Sequence, residues 1–156
     1  MKRSYSDSIV NAIKSFLDSL STQYSFDEEK GKFKFKYYNT MIIINVNDDD
    51  FFAYTTRKMA TTEETLPLLY KYINKISEDC YFANFVYDKD EGYLVCQCYI
   101  NCFNYIPSRE IIEESILSVA HRMDCYVDIF FDISKWKSLP DDMLESIATF
   151  EFRRTY

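Results

Sequence analysis

A few residue groups in this chain have types and spacings that could do chemistry. Cys96, Cys98 and Cys102 share one side of a β-patterned stretch, and thiolates are zinc ligands. Within a regular strand, however, C-x-C spaces its α-carbons by ~6.8 Å, and no C-x-x-C knuckle is present. Their neighbours Leu94 and Ile100 are core types, so the three read as buried free thiols. Asp88, Asp90 and Gly92 resemble the start of a calcium loop, but that loop needs an acid, a glycine and a glutamate where Gly92, Tyr93 and Tyr99 stand. The stretch therefore reads as a polar hairpin turn, and Asp48–Asp50 as another. His121, the one histidine, precedes Cys125 by one helical turn. A nucleophile also needs a pocket and oxyanion donors, so His121 reads as a helix-flank residue. Lys32, Lys34 and Lys36 interleave with Phe33, Phe35 and Tyr37, the ingredients of a single-stranded nucleic-acid track. Strand alternation sends the rings to the core and the lysines to an edge-protecting, solvated row. The sequence holds no nucleophile elbow, zinc-protease helix, Walker loop or dinucleotide fingerprint. No catalytic residue, cofactor site or metal site is expected.

Composition narrows the remaining classes. The 156 residues suit one domain, are 47% hydrophobic and 18% aromatic, and include only 2 Gly and 3 Pro. That supplies a core without staples and leaves little for a phosphate-cradling loop. A formal charge of −7 disfavours general nucleic-acid binding and anionic membranes. A partner with a basic or amphipathic segment is more compatible. The start MKRSYSDS lacks the apolar run of a signal peptide, and no stretch reaches the roughly 20 apolar residues of a membrane helix. A cytoplasmic location with free thiols is the expectation.

The elements that position these residues follow from hydrophobic period. Ile9, Ile13, Phe16, Leu17 and Leu20 make a helical stripe over 5–20, with Ser4 and Asp7 in a capping arrangement. Residues 23–57 read as strands: Tyr24–Asp27, closed by the turn EEKG, then Lys32–Tyr38, Met41–Val46 and Phe51–Thr56. Near Asn39–Thr40 the chain makes either a tight turn or a bend in one longer strand. A helix over 62–77 buries Leu66, Leu69, Tyr70, Ile73 and Ile76. It starts either at the T-x-x-E box of Thr61 and Glu64, or at Leu66 with Pro67 in its first turn. Pro107–Ser108 opens a long helix whose stripe runs from Ile112 through Ile116, Val119, Met123, Tyr126 and Val127 to Phe130. The β-formers of 126–133 are compatible with a strand, but the apolar spacing carries through in helical register. A short helix over 141–150 follows Pro140. The fold class is α+β: an antiparallel sheet with helices packed on one face, in the order α-β-β-β(-β)-α-β-β-α.

The stretch Cys80–Cys102 reads as a β-hairpin turning at DKDEG. Setting Tyr87 opposite Tyr93 puts Tyr81, Ala83, Phe85, Tyr87, Tyr93, Val95, Gln97 and Tyr99 on one face. The other face then carries Cys80, Phe82, Asn84, Val86, Leu94, Cys96, Cys98 and Ile100, and is assigned to the helices. A slip of one residue exchanges these roles. The tyrosine-rich face is the candidate protein-binding surface, because such rings can be covered while their hydroxyls stay wet. The competing reading is that the 139–150 helix or the terminus covers it.

This order resembles the type III secretion chaperone-like fold, and more specifically the bacterial sensory transduction regulator (YbjN-like) family. The resemblance rests on IVNAIKSFLDSL, IIINVNDDDFFAYTTR, LPLLYKYINKIS with Asn74, FANFVYDKDEGYLVCQCYI and IIEESILSVAHRM. It covers roughly residues 5–133 and leaves 134–156 as an extension of a single domain. It implies a small acidic, non-enzymatic, homodimeric domain that engages an unnamed protein. It transfers no catalytic or ligand-binding residue. The alternative function is a single-stranded nucleic-acid binder using Lys32, Lys34 and Lys36.

Overall fold

The apolar stripes and alternations assemble around a single sheet. The computed structural model describes residues 4–78 and 82–135. Helix α1 (Asp7–Ser19) is followed by strands β1 (Tyr24–Asp27), β2 (Lys32–Tyr37), β3 (Thr40–Val46) and β4 (Asp50–Lys58). Helix α2 (Leu66–Ser77), strands β5 (Asn84–Asp88) and β6 (Tyr93–Asn101) and helix α3 (Arg109–Lys135) complete the order. All neighbouring strands are antiparallel, in the order β1-β2-β3-β4-β6-β5. The expected α+β class and element order hold, with four strands before α2.

Local chemistry sets the boundaries. Ser6, rather than Ser4, caps α1: its hydroxyl accepts from Ile9 N at 3.2 Å. Ser4 instead donates to Asp48 Oδ1 at 2.6 Å. Leu20, expected in the stripe, is only half-buried, and Val10 takes a core place. Between β2 and β3 the chain makes the tight turn, with Tyr38 and Asn39 at φ 47° and 66° and Tyr37 opposite Thr40. Helix α2 starts at Leu66 with Pro67 in its first turn, where a missing N–H costs nothing. The Thr61–Glu64 box does not form. Thr62 and Thr65 exchange bonds instead, Thr62 N donating to Thr65 Oγ1 at 2.9 Å and Thr65 N to Thr62 Oγ1 at 3.2 Å. That start rotates Tyr72 into the core and leaves Tyr70 exposed, a correction to the predicted stripe. Ser108 caps α3, accepting from Ile111 N at 3.2 Å. Residues 126–133 are helical, as their spacing predicts. The 141–150 helix lies outside the described residues.

The core sits between the helices and one face of the sheet. That face carries Phe33, Phe35, Ile42, Ile44, Phe51, Ala53, Leu94, Cys96 and Cys98, all buried. Buried Thr55 is satisfied there, its hydroxyl donating to Met41 O at 2.9 Å. No helix among the described residues is long and apolar enough to cross a membrane.

Candidate functional site

The candidate surface depends on the β5–β6 hairpin, so its register matters most. The strands pair Asp88 with Tyr93, Tyr87 with Leu94, Val86 with Val95, Phe85 with Cys96 and Asn84 with Gln97. This is one residue away from the expected register. The predicted turn took five residues, DKDEG, but the loop is Lys89–Gly92 and Asp88 belongs to the strand. The Asp88 carboxylate accepts from Asp90 N and Glu91 N, each at 3.1 Å, while Gly92 N donates to Asp88 O at 2.8 Å. Gly92 holds φ 74°, which closes the loop without side-chain strain.

The slip reverses β5 and leaves β6 as expected. Phe85 and Tyr87 are corrected to the inner face, at 4% and 6% exposure. Phe85 joins a ring cluster with its centroid 5.0 Å from that of Phe130 and 5.7 Å from that of Tyr126. Tyr72 closes the cluster at 5.1 Å from Phe130. Tyr87 is admitted because its hydroxyl donates to Met59 O at 2.6 Å, leaving no orphaned polar atom. Asn84 and Val86, expected inside, face outward instead. Tyr93, Val95, Gln97 and Tyr99 stand on the outer face as predicted. Tyr81, like Cys80, lies outside the described residues.

The outer face extends further than the hairpin alone suggested. Cross-strand rows place Ile43 beside Tyr54, Tyr54 beside Gln97 and Gln97 beside Asn84. Asn45 neighbours Phe52, and Phe52 neighbours Tyr99 with ring centroids 4.9 Å apart. Among the described residues no helix lies over this face: its residues stay half-exposed or exposed while the opposite set is buried. Phe52, Tyr54 and Ile43 were missed because each sits in a run apolar on both faces, so alternation carries no sign there.

Charge is unevenly spread over this face. Lys34 neighbours Ile43 and Lys36 neighbours Met41, so the lysines share a face with Tyr54 and Phe52, though not with the rings of their own strand. At the other side Tyr99 donates its hydroxyl to Asp50 Oδ2 at 3.2 Å. Desolvation, and then this bond, push the Tyr99 phenol above its ordinary range.

The remaining candidates are the thiols and the histidine. Cys96, Cys98 and Cys102 are buried, and burial first, then Glu114, pushes the Cys98 thiol up to about 12. Among the described residues no cluster of His, Cys, Asp and Glu could hold a metal ion. Cys125 Sγ lies 3.6 Å from His121 Nε2 on the outer flank of α3, with His121 exposed and Cys125 half-buried.

No protein-family model matches the chain, and no curated protein matches it in sequence. Solved structures do. A chain of the HopA1–SchA chaperone–effector complex aligns at TM-score 0.58 and 12% identity over 78% of this chain and 95% of that one. An uncharacterised protein from Methanothermobacter thermautotrophicus aligns at TM-score 0.56 and 15% identity over 80% and 97%. YbjN from E. coli aligns at TM-score 0.55 and 12% identity over 79% and 89%. The fold is YbjN-like, of the type III secretion chaperone kind. At these identities the likeness concerns the fold, and the function has to come from the surface.

Proposed function

We propose that this chain is a non-enzymatic, protein-binding domain of chaperone-like or regulatory type, a single cytoplasmic domain that works as a homodimer. The observation carrying this is the outer sheet face, where Phe52, Tyr54, Val95 and Tyr99 lie uncovered among the described residues. Contiguous apolar surface of this kind is covered in use by another macromolecule. A chaperone–effector complex among the structures of like fold supports the same reading. Of the predicted binding residues, Tyr93, Val95, Gln97 and Tyr99 remain in the proposal, joined by Val86, Phe52 and Tyr54.

A photo-crosslinking aromatic placed at Gln97, in mid-face, tests it against the same group at exposed Asp124 on α3. The expected result is a covalent adduct from Gln97, either with a second copy or with another protein, and none from Asp124. Light scattering should return twice the chain mass of 18.7 kDa. Equal crosslinking from both positions, or none from Gln97, overturns the proposal.

A second reading, single-stranded nucleic-acid binding, is favoured by one fact: Lys34 and Lys36 share the outer face with Tyr54. Mobility shift of an oligothymidylate, lost with rising salt and in the Lys34→Gln/Lys36→Gln variant, would support it. A clean absence of shift at low salt removes it.

A further inference from the structure

Beyond the sheet face, the connection from β6 to α3 presents Phe103, Tyr105 and Ile106 to solvent at 61%, 52% and 64% exposure. Three large apolar side chains within four residues are costly to leave wet, because burying each would be favourable. This loop is also held in place. Phe103 N donates to Asn101 Oδ1 at 2.9 Å, Tyr105 N to Cys102 O at 3.2 Å and Cys102 N to Asp49 O at 2.7 Å. The Tyr105 hydroxyl donates to Asn101 O, Pro107 is buried, and Asn104 takes φ 65° to make the bend. A loop ordered in advance loses little entropy on contact, as recognition loops require. It follows directly on β6, the strand that carries Tyr99.

The rim of this loop is acidic. Asp50 pairs with Asn101 across the β4–β6 ladder, and Asp48 and Asp49 form the adjoining turn. Asp48 and Asp49 are exposed. The lysine row of β2 lies two strands from β4. Apolar anchors beside carboxylates fit apolar groups beside cations, and they repel an anionic membrane or a polyphosphate.

We propose that the Phe103–Tyr105–Ile106 loop and its Asp48–Asp50 rim are the anchor for a basic amphipathic segment of a protein partner. This rests on the protein-binding reading and specifies the partner's chemistry.

The test uses the full chain and two fluorescein-labelled model peptides of about 14 residues, long enough for about four helical turns. One combines Leu with Lys in amphipathic order, the other Leu with Glu. Anisotropy should show the Leu/Lys peptide bound and the Leu/Glu peptide unbound. The Phe103→Ser/Ile106→Ser and Asp48→Asn/Asp49→Asn variants should each weaken binding at least about tenfold, with thermal midpoints unchanged. The first variant keeps the charge, so it separates anchoring from general attraction to an acidic protein. The proposal is overturned if neither peptide binds, if both bind equally, or if the Phe103→Ser/Ile106→Ser variant binds like the parent. It is also overturned if that variant loses only binding to phosphatidylglycerol vesicles, or only dimer mass in light scattering. Failure here with the Gln97 crosslink intact removes the loop anchor and leaves the broader reading standing.

Discussion

The hairpin register is the decisive structural feature of this surface, and paired substitutions on β5 measure it. Phe85 is buried against Tyr126 and Phe130, whereas its neighbour Val86 is 43% exposed. Truncating a buried Phe to Ala costs about 3–5 kcal/mol, and the lost ring contacts favour the upper half. β5 is an edge strand that can relax toward the gap, which pulls the figure down to roughly 3–4 kcal/mol. For a chain of this length that lowers the thermal midpoint by roughly 10 °C. Val86→Ala removes two methyl groups from a wet position and should cost under about 1 kcal/mol. Urea unfolding followed by far-ultraviolet circular dichroism compares both variants with the parent. A drop in midpoint at constant slope reports stability alone. The register predicted from the five-residue turn gives the opposite ranking. Val86→Ala costing more than Phe85→Ala would refute the structural assignment, and with it the membership of the outer face.

Other consequences are quickly checked. Gly31→Ala should destabilise clearly more than Gly92→Ala: both have positive φ, but a Cβ at Gly31 would meet Tyr5 Cδ1 at 2.7 Å and Val46 O at 3.1 Å, while at Gly92 its nearest neighbour is Met59 O at 3.7 Å. Equal urea midpoints for the two variants would contradict this. The buried Cys98 thiol keeps its proton up to about 12, whereas the unfolded thiol ionises near 9.0. Over that window the unfolded state releases a proton the native state retains, so stability falls as pH rises, by at most about 4 kcal/mol. Cys98→Ala should flatten this alkaline loss in urea midpoints, and an unchanged slope would remove the thiol as its cause. Among Cys96, Cys98, Cys102 and Cys125, iodoacetamide should modify Cys125 first in the native chain, read by peptide mass, because the other three are buried. Faster labelling of any of the three would show that the sheet's inner face opens.

Much of the architecture was legible from side-chain period alone. The stripe from Ile112 to Phe130 and the alternation of Lys32–Tyr37 each have one apolar side, so geometry leaves one solution. The thiols on β6 were legible for the same reason, their neighbours Leu94 and Ile100 marking the buried side. The β5 strand lacks that asymmetry: Ala83, Phe85 and Tyr87 alternate with Phe82, Asn84 and Val86, and either set could be buried. One local signal was available. Asp27–Gly31 and Asp88–Gly92 share the pattern D-x-x-x-G, and in both the aspartate carboxylate accepts two N–H groups from the turn. Reading Asp88 as strand, by analogy with Asp27, sets the observed register.

What composition and period determined by themselves was an acidic α+β chain whose β6 thiols fall on the buried side of the sheet. Tertiary packing decided which rings remained outside. Tyr126 and Phe130 offer Phe85 an apolar place, and Met59 O offers Tyr87 an acceptor, both from segments distant in the chain. Burial is a property of what surrounds a side chain. Where both faces of a strand are equally apolar, those surroundings are supplied by other elements, and only the assembled fold can choose between them.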